Sequence, residues 1–163
     1  VTAGRIIPEK GFDLLIDSFN LLIDKSLKLV ILGMETNKEK QKLVNQIETL
    51  GLQNRVILYG FAKNVYPIFK KAKLCVVSSR IEGFPNVLLQ MMSQNNAIVS
   101  TLCAGEIANI KGIFTCENND VASLKDAMEK GLNNNKNNQL LFRDYLESRS
   151  IDKFVNSILN KIN

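Results

Sequence analysis

Along most of the chain, short runs of consecutive apolar residues alternate with longer stretches in which apolar positions recur every three or four residues. The short runs include Val-Ile-Leu-Tyr at 56–59 and Leu-Cys-Val-Val at 74–77. Continuous apolarity over four or five residues marks a strand covered on both faces, as in a parallel sheet. On this basis strands are expected at about 1–4, 28–32, 55–59, 74–78, 97–100 and 112–115. Between them, Phe12, Leu15, Ile16, Phe19 and Ile23 share one helical face, and Leu43, Ile47 and Leu50 share another before Gly51 stops the helix. Further helices are expected at about 63–72, 86–94 and 120–131. The alternation predicts an α/β fold, a Rossmann-like parallel sheet of about six strands with flanking helices.

After the last strand the alternation ends. Residues from about 138 to 162 read as two helices forming a C-terminal tail, with Leu141, Tyr145, Phe154, Ile158 and Leu159 as its apolar contacts. The preceding Asn-Asn-Asn-Lys-Asn-Asn at 133–138 has no apolar surface to bury and reads as a mobile connection. Residues 1–163 suit a single domain with one sizeable core. The chain opens inside an apolar, strand-like segment without a methionine, so the natural protein is expected to extend upstream.

Composition narrows the chemistry. Histidine is absent, which excludes Ser-His-Asp and Cys-His catalysis and histidine metal ligands. Cys75, Cys103 and Cys116 are odd in number and far apart, fitting neither a disulfide framework nor a zinc site, and read as reduced thiols. No apolar span approaches about twenty residues and no signal-peptide pattern opens the chain, so the protein is read as cytoplasmic. The formal charge of +5 suits an anionic ligand, but the lysines are dispersed and lack interleaved aromatics, which argues against nucleic acid. Chemistry is left to carboxylates, cations and the backbone.

In a doubly wound sheet, ligands bind beyond the carboxyl ends of the strands. The first such loop runs Gly4-Arg5-Ile6-Ile7-Pro8-Glu9-Lys10-Gly11 and sets two cations near one crevice; it reads either as a diphosphate site or as a solvated turn. Gly33-Met34-Glu35-Thr36 is a plain turn or a point of close backbone approach to a ligand. Tyr59-Gly60-Phe61 again ends a strand with glycine, and Phe61 reads as a core residue in preference to one that packs on a nucleotide base. The fourth loop, Ser78 to Gln90, carries most information. Pro85 suits a first helical turn, and free amides at 86–88 would form an anion site. Glu82 reads as a helix-dipole charge or as an acceptor for sugar hydroxyls, and Gln90 as an exposed helix residue or a second contact to the same ligand.

Taken together, these loops resemble the retaining GT-B glycosyltransferases of family 4, in their C-terminal half. The resemblance rests on Gly4-Arg5 with Lys10-Gly11-Phe12, on Leu-Gly-Leu-x-x-Arg-Val at 50–56 followed by Gly60, and on Ser79 to Leu89. It implies that Arg5 and Lys10 contact the diphosphate of a UDP- or GDP-sugar and that Glu82 contacts a sugar hydroxyl. Gly33, Gly60, Gly83, Phe84, Pro85, Asn86, Val87 and Gln90 would complete the donor site. It also implies metal-independent transfer with no cofactor, cations serving at the leaving group, to a glycan or lipid-linked acceptor bound by an N-terminal domain outside this chain. A bacterial surface polysaccharide or glycoconjugate is the expected product. Peripheral association of the full-length protein with the inner face of the plasma membrane is left open. Two departures stand out: Gln90 replaces the second acid of the family's E-x7-E motif and lacks its charge, and a frequent glycine pair is reduced to Gly33-Met34. The rival reading is a noncatalytic nucleotide-sugar-binding or regulatory module. A dinucleotide oxidoreductase is disfavoured because no G-x-G-x-x-G follows the first strand. The resemblance further implies that the last helix crosses back to the N-terminal domain, so part of 150–163 is expected to expose an apolar face here and offer a self-association site.

Overall fold

The computed structural model describes residues 1–34, 37–150 and 152–153. Six strands are found near the expected places: β1 (Thr2–Ala3), β2 (Leu29–Leu32), β3 (Val56–Gly60), β4 (Cys75–Val77), β5 (Ile98–Thr101) and β6 (Phe114–Cys116). All their ladders are parallel. Instead of one continuous sheet they form two three-stranded ladders, β1-β2-β3 and β4-β5-β6. The ladders meet where the Val1 nitrogen donates to the Leu74 carbonyl at 2.7 Å and the Val76 N–H donates to the Val1 carbonyl at 2.9 Å. That offset pair is parallel pairing reduced to one residue. The spatial order is therefore 3-2-1-4-5-6, the doubly wound order with its switch between β1 and β4.

The strands are apolar on both faces because helices cover both. Ile31, Val76 and Val99 share one cluster with α1 (Phe12–Asn20), α2 (Asn37–Thr49) and α5 (Val121–Leu132). Leu32, Cys75, Val77 and Ile98, at alternate positions, share the other with α3 (Tyr66–Lys71), α4 (Asn86–Met92) and α6 (Gln139–Ser148). Successive strand side chains point to opposite faces, so a run such as Cys75-Val76-Val77 feeds both cores. Gly51 closes α2 in the left-handed region, as its position in the sequence suggests.

Several elements differ from expectation. Helix α1 ends at Asn20, and Ile23, placed on its apolar face by spacing, is 81% exposed beyond it. Strand β6 lies one or two residues later than the apolar run at 112–115, because Gly112 takes a positive φ of 90° and forms a turn. In the tail, Phe142 is fully buried, whereas Leu141 is 42% exposed; the helix is rotated by one position from the expected register. Tyr145 does pack against the same cluster. The Asn-rich run is not simply a mobile connection: Asn138 is buried, and its Nδ2 donates to Asn96 O at 3.0 Å and Gly112 O at 3.1 Å. Composition hides this, since a single buried amide here joins two separate loops through their carbonyls. The second tail helix, with Phe154, Ile158 and Leu159, and the self-association site lie largely outside the described residues.

All three cysteines are free and buried. Burial pushes the Cys75 thiol up to about 11 and the Cys116 thiol up to about 12, leaving both protonated near neutrality.

Because Phe142 is the main buried anchor of α6, Phe142→Ala should destabilise the protein by about 3 kcal/mol. Equilibrium urea denaturation checks this, and an unchanged midpoint would mean that the tail is not part of the folded unit.

Candidate functional site

Pairing between strands continues into the loops at their carboxyl ends. The Gly4 N–H donates to Leu32 O at 2.9 Å, Gly33 N–H to Gly60 O at 2.8 Å, and Ile6 N–H to Met34 O at 2.9 Å. A side chain at Gly33 would place Cβ 1.7 Å from the Gly4 carbonyl oxygen, so this glycine serves the close approach of two backbones. Gly60 sits where the β2–β3 register shifts, with φ of 82°, and its Cα faces open space. Phe61, expected in the core, is 68% exposed. It follows the end of an edge strand, past the cover of the flanking helices. Glu35 and Thr36 of the second loop lie outside the described residues.

The first loop tightens into a 3-10 turn at Pro8–Lys10, and Gly11 follows in the left-handed region at φ 61°. A Cβ at Gly11 would lie 2.2 Å from Ser78 O, so the loops after β1 and β4 are pressed together here. The Ser78 hydroxyl donates to Lys10 O at 2.9 Å. The Lys10 ammonium then forms a close ion pair with Glu82 Oε1, to which the Ser79 hydroxyl also donates at 2.8 Å. The two charged side chains are 19% and 17% exposed. The predicted diphosphate cation and the predicted sugar-binding carboxylate thus touch each other. Arg5 is exposed at the same edge, with no ion pair to it among the described residues.

Arg80 lies within the fourth loop, and sequence reasoning assigns it no role. Its Nη1 donates to Pro8 O at 2.5 Å and Asp13 Oδ1 at 2.9 Å, and its Nη2 to Asp13 Oδ2 at 2.7 Å. Its backbone N–H donates to Glu9 O at 2.7 Å, and its carbonyl accepts from Asn118 Nδ2 at 3.2 Å. An arginine directly after a strand-end Ser-Ser, with an acid in the first turn of α1, is the signal available in the sequence. Nothing local shows that the two are partners.

Pro85 stands before α4 with φ −77° and ψ 98° instead of opening its first turn, and Asn86 is the first helical residue. The Leu88 N–H donates to Pro85 O at 2.8 Å, so the amides left for an anion are those of Asn86 and Val87, not 86–88. Gly83 is exposed and borders open space. Phe84 is half-buried, with the Arg149 guanidinium 4.8 Å from its ring centroid. Gln90 is half-buried on α4. A cavity of about 520 Å3, lined by Val1, Phe19, Lys28, Leu74 and Met128 among others, opens at the opposite, amino end of the strands and contains none of the predicted site residues.

The structure is that of a doubly wound α/β domain with charged loops at its switch point. The sequence matches the family model for glycosyl transferases group 1 over residues 1–134, and the chain belongs to that family. It is 38% identical over 105 residues to an uncharacterized glycosyltransferase of Methanocaldococcus jannaschii, covering 63% of this chain and 25% of that protein. It is 36% identical over 101 residues to the N-acetylgalactosamine-N,N'-diacetylbacillosaminyl-diphospho-undecaprenol 4-alpha-N-acetylgalactosaminyltransferase of Campylobacter jejuni, covering 62% and 27%. Anabaena HepE, solved in complex with UDP, superposes with a TM-score of 0.84 at 19% identity, over 99% of this chain and 47% of HepE. The fold is that of one half of a GT-B glycosyltransferase. The chain spans about a quarter of the length of these curated relatives. No described helix is long and apolar enough to cross a membrane.

Asp13 is half-exposed; burial raises its carboxyl pKa, but the two Arg80 hydrogen bonds and charge outweigh this and hold it below the ordinary 3.8. A carboxyl whose folded value is depressed adds stability above its unfolded value and loses it as pH falls through the folded one. Asp13→Asn should therefore flatten the loss of melting temperature on acidification below about pH 4, with little change near neutrality beyond the lost pairing. Parallel acid curves for the two proteins would contradict this.

Proposed function

We propose that this chain is the donor-binding half of a retaining, metal-independent glycosyltransferase that moves a sugar from a UDP- or GDP-sugar to a glycan or lipid-linked acceptor held by another part of the longer protein. The observation that carries the reading is the pairing of Lys10 with Glu82 at the switch between β1 and β4, in the loop that also carries Arg5. In a family whose reaction is sugar transfer, that crevice is where a nucleotide is expected.

The roles follow from charge. As the anomeric C–O bond breaks, negative charge gathers on the departing diphosphate. Arg5 offers a planar fork of donors and Lys10 a compact ammonium, which stabilise that charge as a divalent cation does in other transferases. Glu82 accepts from a sugar hydroxyl, while the amides of Asn86 and Val87 and the open backbone at Gly83 and Phe84 meet sugar and phosphate. Gly60 borders the base, Gly33 sets the floor between β1 and β2, and Gln90 replaces a carboxylate with a neutral amide toward the ribose. Supporting the nucleotide reading, HepE was solved with UDP and glucose. Supporting a surface-glycan product, the C. jejuni relative acts on an undecaprenol-linked sugar and another relative is the capsular polysaccharide glycosyltransferase CapM of Staphylococcus aureus. A lipid-linked acceptor would bring the longer protein to the inner face of the plasma membrane.

Calorimetric titration with UDP and GDP tests this without an acceptor. One of the two should bind saturably, and Arg5→Ala and Lys10→Ala should each weaken it about tenfold, the loss typical of a charge-assisted hydrogen bond. Failure of both nucleotides to bind folded protein, or unchanged affinity in both variants, would overturn the assignment.

A further inference from the structure

Lys10 and Glu82 come from loops 72 residues apart in sequence, and their pairing needs those loops held at a fixed separation. Beside the Ser78 hydroxyl, which donates to Lys10 O at 2.9 Å, one residue ties the two loops together through several bonds. The Arg80 guanidinium donates to Pro8 O and, with two parallel bonds, to the Asp13 carboxylate, while its backbone N–H donates to Glu9 O. Every one of these acceptors flanks Lys10, lying within three residues of it. On the other side, Arg80 stands between Ser79, which donates to Glu82, and Glu82 itself, and its carbonyl is held by Asn118 from the end of β6. The side chain is 30% exposed, and its guanidinium is taken up by Pro8 O and by the Asp13 carboxylate of α1.

We propose that Arg80 is a positioning residue that sets the Lys10–Glu82 separation, and so the geometry of the donor site, without touching the donor. The inference rests on the donor-site reading for its functional consequence, but the positioning itself does not. A bidentate guanidinium–carboxylate pair fixes orientation as well as distance, which a single ammonium cannot reproduce. Loss of the Arg80 side chain removes the three guanidinium bonds and leaves the backbone bond to Glu9 O and the Ser78 hydroxyl bond to Lys10 O, so Lys10 is held less firmly against Ser79 and Glu82, and a small misplacement of a charged group has a large effect on a site built from few contacts.

Two measurements on the same variants test this. The first labels lysines with an amine-acylating reagent and follows each site by mass spectrometry. In Arg80→Ala, Lys10 should react about fivefold faster than in the unaltered protein, since it is no longer held against its carboxylate. Lys125, paired with Glu129 at 2.8 Å on helix α5 and bonded to none of the Arg80 partners, should react at an unchanged rate, which separates a local effect from general loosening. Arg80→Lys should fall between the two. The second titrates UDP and GDP. Arg80→Ala should weaken the bound nucleotide about tenfold, and the same change in a Lys10→Ala background should cost less than about twofold, because its effect passes through Lys10. Lys10 labelling that rises no more than Lys125 labelling would overturn the proposal, as would full additivity of the two substitutions. If neither nucleotide binds the unaltered protein, the donor reading fails, and the labelling still decides whether Arg80 positions Lys10.

Discussion

Val1 exchanges two backbone hydrogen bonds with Leu74 and Val76, and that single parallel step joins two three-stranded ladders into one 3-2-1-4-5-6 order. The site depends on it. Where β1 and β4 lie side by side, their outgoing loops turn toward helices on opposite faces, α1 on one and α4 on the other. The chain therefore diverges at this point, which is where a doubly wound sheet opens its ligand crevice. Glycine keeps it compact: Gly33 admits the Gly4 carbonyl and Gly11 admits the Ser78 carbonyl, each where a methyl group would overlap an oxygen. The crevice floor is thus built from backbone packed on backbone, with charged side chains at its rim.

Much of this was legible in the sequence, for identifiable reasons. Buried parallel strands announce themselves as unbroken apolar runs, so all six were found, and helix stops such as Gly51 follow from backbone sterics. The bulk of the candidate site was legible because residues at strand ends must gather at one edge whatever the details of packing. What failed were questions of register and partnership. Phe142 is the buried residue of α6 and Leu141 its exposed neighbour, and a short amphipathic stretch supports either phase. Phe61 reads as core by hydrophobicity and is exposed because β3 is an edge strand, which is a fact of topology. Pro85 is compatible both with a first helical turn and with the position before it, and only the dihedral angles choose.

The least legible feature was the network around Arg80. Its partners lie 67 to 72 residues away in sequence, and both Arg80 and Asp13, taken locally, are ordinary surface charges. An exposed ion pair adds little to stability. This one differs in geometry, with two parallel bonds to the carboxylate and a third to a carbonyl in the adjoining loop, so its main effect is on relative position. Stability and precision are separate properties, and a residue can matter greatly to one while contributing little to the other.

The pairing of Lys10 with Glu82 bears on how the proposed donor would bind. The two charges satisfy each other, and Glu82 has a further hydrogen bond from Ser79. A diphosphate arriving at Lys10 competes with Glu82 for the same ammonium, and success leaves a half-buried carboxylate beside a new anion. That arrangement is costly unless the carboxylate finds another donor. A sugar hydroxyl attached to the same diphosphate is such a donor and arrives at the same moment. On the proposed donor reading, the ion pair would disfavour a bare nucleoside diphosphate more than a complete nucleotide sugar, and selectivity for the intact donor over the spent one would follow from replacing both partners of one salt bridge together.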